Sequence, residues 1–261
     1  MSMENKSSTI QQVVAVMSGK GGVGKSTLTG LLAIAMQRRG LRVAILDGDL
    51  YGPGIVHIFG APSEFSMTDD GQTEPLRSKN GIAMMGINVF LENQTDPITW
   101  RGPMAASAFR QFYNDVAWGQ LDCLLIDMPT GTADIPVTAL EFLPVTGVIL
   151  VSTPQLLATA ILNKTIKMLE QYQYQSRIIG VVENMAYLTL PGQETSAIFG
   201  ASHYSDIAAM VNVPLLGRIP VDPVLSMLCD AGEIEQYDAE IVNSLATTVL
   251  SGLNMKVPSH S

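Results

Sequence analysis

The stretch Gln12–Thr27, QVVAVMSGKGGVGKST, decides the fold. Six residues that read as a buried strand run straight into a glycine-rich loop, and a helical pattern opens at Lys25. Gly19–Ser26 fits G-x-x-x-x-G-K-[ST], the phosphate-binding loop, in the strand–loop–helix setting that gives the pattern its meaning. Glycines let the chain curl until successive N–H groups face one anion, and the helix N-terminus adds its positive dipole end. The expected nucleotide contacts are Gly21, Gly22, Val23, Gly24, Lys25, Ser26 and Thr27. Lys25 reaches the β- and γ-phosphates, and the Ser26 hydroxyl ligates magnesium.

Working outward, near-continuous apolar runs recur at Arg42–Asp47, Ile82–Ile87, Asp122–Asp127, Gly147–Ser152, Ile178–Asn184 and Pro214–Ile219. Such runs mark strands covered on both faces. Lys25–Arg39, Met104–Val116, Pro154–Gln173, Ser202–Val211 and Ala239–Leu253 read as the helices between and after them. The alternation predicts a doubly wound α/β fold, a mostly parallel sheet with helices on both faces, as one P-loop NTPase domain over residues 1–261. Ligands in such a sheet bind beyond the carboxyl ends of the strands. Ala61–Asn80 is polar and turn-rich and reads as a surface excursion. Met185–Gly200 is too irregular for a helix, and residues 1–10 and 254–261 are expected to fray.

The chain has 261 residues, 47% hydrophobic, with a net charge of −9 and a pI near 4.7. Its densest basic cluster is only Arg38, Arg39 and Arg42, which argues against nucleic-acid binding. No apolar run has the length of a membrane span and the N-terminus does not read as a signal peptide, so no membrane partner and a cytoplasmic location are expected. Two cysteines, Cys123 and Cys229, imply no disulfide framework. The three histidines are scattered, without zinc-site spacing. The fourteen methionines read as fillers of core gaps.

Three carboxylates fall at strand ends. Asp47 closes the second strand in LDGDLYGPG, and Asp49 is two residues on, on the same side of an extended chain. One can hold a magnesium-bound water and the other can orient the attacking water. Asp127, after the apolar CLLI, is placed to hold magnesium through water. The loop from Pro129 to Asp134 is expected to sense the γ-phosphate. Asn184 ends another strand in VVENMAY, and an amide can pair with both a donor and an acceptor on a base edge. A second lysine, Lys20, sits too early in the loop to duplicate Lys25. Its side chain can leave its own subunit and reach a partner's nucleotide across a two-fold axis, as an arginine finger acts in trans.

The GKGGVGKS form resembles the deviant Walker A loop of the ParA, MinD, nitrogenase iron protein and Mrp superfamily. That resemblance implies an ATP-sandwich homodimer completed by Lys20, with Lys20, Lys25 and Asp49 serving catalysis, Asp49 positioning the water, and Asp47 joining Ser26 and Asp127 in the magnesium set, the aspartates through water. It also implies that Asn184, and Pro220, Val221 and Asp222 of GRIPVDP, surround the adenine. DGDLYGPGI, WRGPM, DVAWGQLDCLLIDMPTGTAD, NMAY, IFG and LLGRIPVDP resemble Mrp/ApbC-type proteins in register over Val14–Gly232. Thr130 and Ala133 stand where those proteins have a proline and a glycine. Nothing in the sequence explains Trp100 and Arg101.

Members of that family carry or assemble iron–sulfur clusters, through a C-P-x-C pair from each subunit. Here Pro191 is kept, but Leu190 and Gln193 stand at the cysteine positions. Leucine cannot ligate iron, and a glutamine amide is a poor substitute for a thiolate, so the bridging cluster is not carried over. The expected function is a magnesium-dependent, slow homodimeric ATPase that acts with iron–sulfur client or assembly proteins. The alternatives are a nucleotide-switched positioning protein of the MinD or ParA kind and an ATP-binding adaptor with vestigial hydrolysis.

Overall fold

The computed structural model describes residues 8–49, 54–62, 64–86, 102–131, 134–174, 177–189, 194–205 and 213–257. Among them, eight strands form one sheet: β1 (Thr9–Met17), β2 (Val43–Asp47), β3 (Leu76–Arg77), β4 (Ala83–Gly86), β5 (Gln120–Asp127), β6 (Gly147–Ser152), β7 (Ile178–Glu183) and β8 (Leu215–Arg218). Their order is β3-β4-β2-β5-β1-β6-β7-β8, parallel throughout except for the antiparallel β3–β4 edge. The described helices are α1 (Lys25–Gln37), α2 (Ile55–Ile58), α3 (Gly102–Asn114), α4 (Asp134–Phe142), α5 (Leu156–Gln171), α6 (Pro223–Asp230) and α7 (Glu240–Gly252), with a 3₁₀ turn at Ile234–Gln236.

The chain steps from β1 over β5 to β2 and on to β4, then reverses and steps from β5 over β1 to β6, β7 and β8. Right-handed crossovers therefore put α1 and α2 on one face and α3, α4 and α5 on the other. The packing agrees: α1 touches α2 and α7, while α3 packs on α4. Residues Val13–Met17 of β1 and all of β2 and β6 are buried, as strands covered on both faces must be. Helix α1 is buried from Leu28 to Met36, which explains why its sequence, LTGLLAIAM, is apolar nearly all round.

The strands lie where the apolar runs predict, with every end within three residues of the prediction and β6 matching at both ends. Four elements escape the sequence reading: β3 and the helices α2, α4 and α6. The Ala61–Asn80 stretch is more than a surface excursion. Its end supplies β3, which pairs with β4, and Thr73 bridges to Val116. Leu76 and Ser78 are buried there, so part of this polar stretch is the sheet's edge. Of the expected helix Ser202–Val211, residues 206–211 lie outside the described residues, as do Tyr51, Pro53, Trp100, Arg101 and Ala133. Met185–Gly200 is not helical where described, and Leu188 pairs antiparallel with Ser196.

The basic cluster is spent inside the chain. Arg38 bonds Asp238 and the Glu235 carbonyl, Arg39 bonds the Asn243 and Ala35 carbonyls, and Arg42 pairs with Asp122.

Candidate functional site: the phosphate loop and its carboxylates

β1, β2 and β5 end together. Val16 of β1 and Asp47 of β2 both stand opposite Asp127 of β5. The loop after β1 therefore begins beside two aspartates. Gly22 and Gly24 take φ of 74° and 82°, a region open to glycine without cost. Gly24 is also the N-cap of α1, and no side chain caps that helix, so its first N–H groups face the loop's concavity.

Lys25 is 5% exposed. Its Nζ donates to Asp127 Oδ1 at 2.7 Å, and Ser26 Oγ donates to Asp127 Oδ2 at 2.5 Å. One buried carboxylate thus holds both side chains that the motif assigns to phosphate and cation. Asp47 is fully buried and accepts the N–H groups of Asp49 at 3.1 Å and Ile55 at 3.0 Å. Burial first, then the neighbouring Asp127, pushes its carboxyl up to about 7. Burial raises Asp127 as well, against the pull of Lys25 and Ser26. Two buried carboxylates facing one ammonium leave surplus negative charge, which a hard divalent cation with oxygen ligands would neutralise. Ser26, Asp47 and Asp127 thus fit magnesium by chemistry and by convergence.

Gly48 tightens the junction. Its N–H donates to the Asp127 carbonyl at 2.8 Å, and a Cβ there would lie 2.6 Å from Phe109 Cε1. β2 stops at Asp47, and the Asp49 N–H turns back onto its carboxylate instead of continuing an extended chain. Asp49 is half-buried at this turn. Lys20 is placed within its own subunit, where its Nζ donates to Gln155 Oε1 at 2.7 Å, at the entrance to α5.

Beyond Gly24 the loop opens into a cleft of about 480 Å³, walled by Gly24 and Thr27 on one side and by Asn184, Pro220, Val221 and Asp222 on the other. The sequence-predicted base residues are thus gathered with the phosphate loop. Asn184 Nδ2 donates to the Val23 carbonyl at 2.8 Å. Asp222 has structural duties: it caps α6 by accepting Val224 N–H at 2.8 Å, and it accepts the Tyr237 hydroxyl at 2.8 Å. The D-P pair at 222–223 is a helix-start signal that would have revealed α6.

Further wall residues that sequence reasoning missed include Ile198, Phe199 and Cys229. Burial raises the Cys229 thiol, partly offset by a hydrogen bond from Thr27. It also missed Glu183, a buried carboxylate that pairs with Arg218 Nε at 2.7 Å and accepts Ser202 Oγ at 2.7 Å. That cluster braces the strand end carrying Asn184.

Leu190 and Gln193 lie outside the described residues. Cys123 is buried within β5 with its thiol pushed up to about 12, and Cys229 faces the cleft. Among the described residues, no group of three or more His, Cys, Asp or Glu side chains is placed to hold a metal ion, and no helix is long and apolar enough to cross a membrane.

A family model described as ParA, NUBPL iron-transfer P-loop NTPase, matches residues 9–253. An iron–sulfur cluster carrier protein of Methanococcus maripaludis is 40% identical over 239 residues, 87% of this chain and 82% of that protein. A cytosolic Fe–S cluster assembly factor Nubp2 homolog of Drosophila grimshawi is 36% identical over 250 residues, 94% and 93% of the two chains. Among solved structures, a nucleotide-binding protein of Archaeoglobus fulgidus in complex with ADP superposes with a TM-score of 0.77. It is 39% identical, and the match covers 88% of this chain and 90% of that one.

Proposed function

Because this chain belongs to the NUBPL iron-transfer P-loop NTPase (ParA) family, we propose that it is an ATP-binding, ATP-hydrolysing homodimer acting in iron–sulfur cluster assembly or transfer. The observation that carries the nucleotide part is the convergence of Lys25, Ser26 and Asp127, with Asp47 beside them, at the end of the strand that feeds the phosphate loop. The iron–sulfur part rests on the relatives.

Lys25 leaves Asp127 for the terminal phosphates as nucleotide enters. The loop N–H groups and the first turn of α1 take the remaining phosphate charge. Ser26, Asp47 and Asp127 would hold magnesium, which would offset the phosphate charge. Asp49 orients the attacking water, and Lys20 exchanges Gln155 for the nucleotide of a second copy. Asn184 and Pro220–Asp222 enclose the adenine.

Cys123 and Cys229 do not compose the thiolate set of a cluster shared between subunits. The chain therefore acts as a nucleotide-gated partner of a cluster-holding protein rather than as the holder. Its net charge of −9 and the internal use of Arg38, Arg39 and Arg42 favour a protein client over nucleic acid.

Lys25→Ala is expected to abolish ATP hydrolysis, and Asp49→Ala to leave a long-lived ATP dimer, read by phosphate release and by sizing chromatography. Full turnover by either variant refutes the assigned roles. Anaerobic reconstitution with iron and sulfide tests the partner reading. About two iron atoms per chain with a charge-transfer band would make this protein a holder instead.

A further inference from the structure

An amide at the end of β7 is bonded to the backbone of the phosphate loop, 161 residues away in sequence. Building on the nucleotide reading above, we propose that Asn184 is a positioning residue for the phosphate loop. It holds the Val23–Gly24 turn in its anion-binding shape, so that the base wall and the phosphate cradle form one rigid unit.

The turn needs an outside partner. With Gly24 left-handed, the Gly24 carbonyl starts the α1 ladder by accepting Leu28 N–H at 3.0 Å, while the Val23 carbonyl is turned out of it. A buried carbonyl must find a donor, and Asn184 Nδ2 supplies it at 2.8 Å. The amide lies against the Gly24 backbone: a Cβ built there would stand 2.2 Å from Nδ2 and 3.5 Å from Cγ. Asn184 fills the space a side chain at position 24 would need.

Asn184 is itself well anchored. Its N–H donates to the Ser152 carbonyl at 2.8 Å, and Ala186 N–H donates to the Ile219 carbonyl at 2.9 Å. Between them Met185 takes φ of 54°, a conformation a non-glycine side chain adopts only where its surroundings hold it. The Glu183–Arg218 pair braces the preceding residue. The sheet's end thus lends its rigidity to the loop through one side chain.

The geometry also decides what the amide has left for the base. Only the NH₂ end can bond a carbonyl, so one N–H of Nδ2 is taken by Val23, and its second N–H and the acceptor Oδ1 remain.

Magnesium tripolyphosphate, which has phosphates but no base, separates positioning from base reading. Calorimetric titrations would compare wild type, Asn184→Ala and the near-isosteric Asn184→Asp, with tripolyphosphate and with ATP. Positioning predicts that tripolyphosphate affinity falls roughly three- to tenfold in the alanine variant, and further in the aspartate variant, whose carboxylate opposes the Val23 carbonyl. Amide exchange over Ser18–Thr27 should quicken while the unfolding temperature and exchange elsewhere hold. If alanine unfolds the protein, Asn184→Ser, small and too short to span to Val23, takes its place. Variants that bind tripolyphosphate as wild type does while losing ATP overturn the inference and leave Asn184 as a base contact alone. Wild type that binds neither ligand refutes the nucleotide reading itself.

Discussion

Gly24→Ala gives the sharpest test of the site's packing. At φ of 82° an alanine sits in the left-handed region, which costs roughly 1–2 kcal/mol. Its Cβ would land 2.2 Å from Asn184 Nδ2 and 3.7 Å from Met185 Cε. The methionine contact is ordinary, but the amide contact is impossible, so Asn184 must swing away. That breaks the bond to Val23, and the stranded buried carbonyl adds roughly 1–3 kcal/mol. The sum, roughly 2–5 kcal/mol, corresponds to a fall in unfolding temperature of roughly 4–10 °C for a chain of this size. Thermal unfolding without nucleotide reads the stability, and ATP titration reads the site. A shift below about 2 °C with ATP affinity retained would refute the reasoning, since the loop would then have relaxed around the new methyl without using Asn184.

Two further outcomes follow from the titrating groups. The Asp47 carboxyl, raised from 3.8 to about 7 by burial and by Asp127, binds its proton more tightly folded than unfolded. Its contribution is therefore most favourable below pH 4 and is lost as pH rises from about 4 to about 7, with no further change above. Urea unfolding without nucleotide across that range should show this declining limb, and Asp47→Asn should flatten it; an unchanged slope would remove Asp47 as the cause. Thiol titration of the folded protein should find Cys229 reactive and slowed by bound nucleotide, because it lines the cleft, and Cys123 silent until unfolding, because it is fully buried in β5. Equal reactivity of the two cysteines, or no protection by nucleotide, would contradict the placement of the cleft.

The strands were legible because burial on both faces writes itself as runs such as VVAVM and VILVS, and the phosphate loop because it needs particular residues at fixed spacing. The short elements were not. Ile55–Ile58 offers one turn of helix and no period to read, and Leu76–Arg77 is a strand only because β4 lies beside it. Pro223–Asp230 carried a start signal in its capping aspartate, but that residue had been read for base contact, and the structure gives both of its oxygens structural partners. Glu183 carried no signal, since a glutamate at a strand end looks like a solvated charge until Arg218 and Ser202 are seen around it.

What the sequence by itself determined is the local chemistry: a loop built to curl around phosphate, a lysine and a serine opening the next helix, and carboxylates at strand ends. Those depend on neighbours in the chain, and spacing reports them. What only the tertiary structure decided is how those groups are shared. Asp127 takes both Lys25 and Ser26, the Asp47 proton is held by burial and a like charge, and the amide of Asn184 gives one N–H to the loop. Partners 80 to 161 residues apart are chosen by strand order and depth of burial, and neither distance nor desolvation is written along a chain.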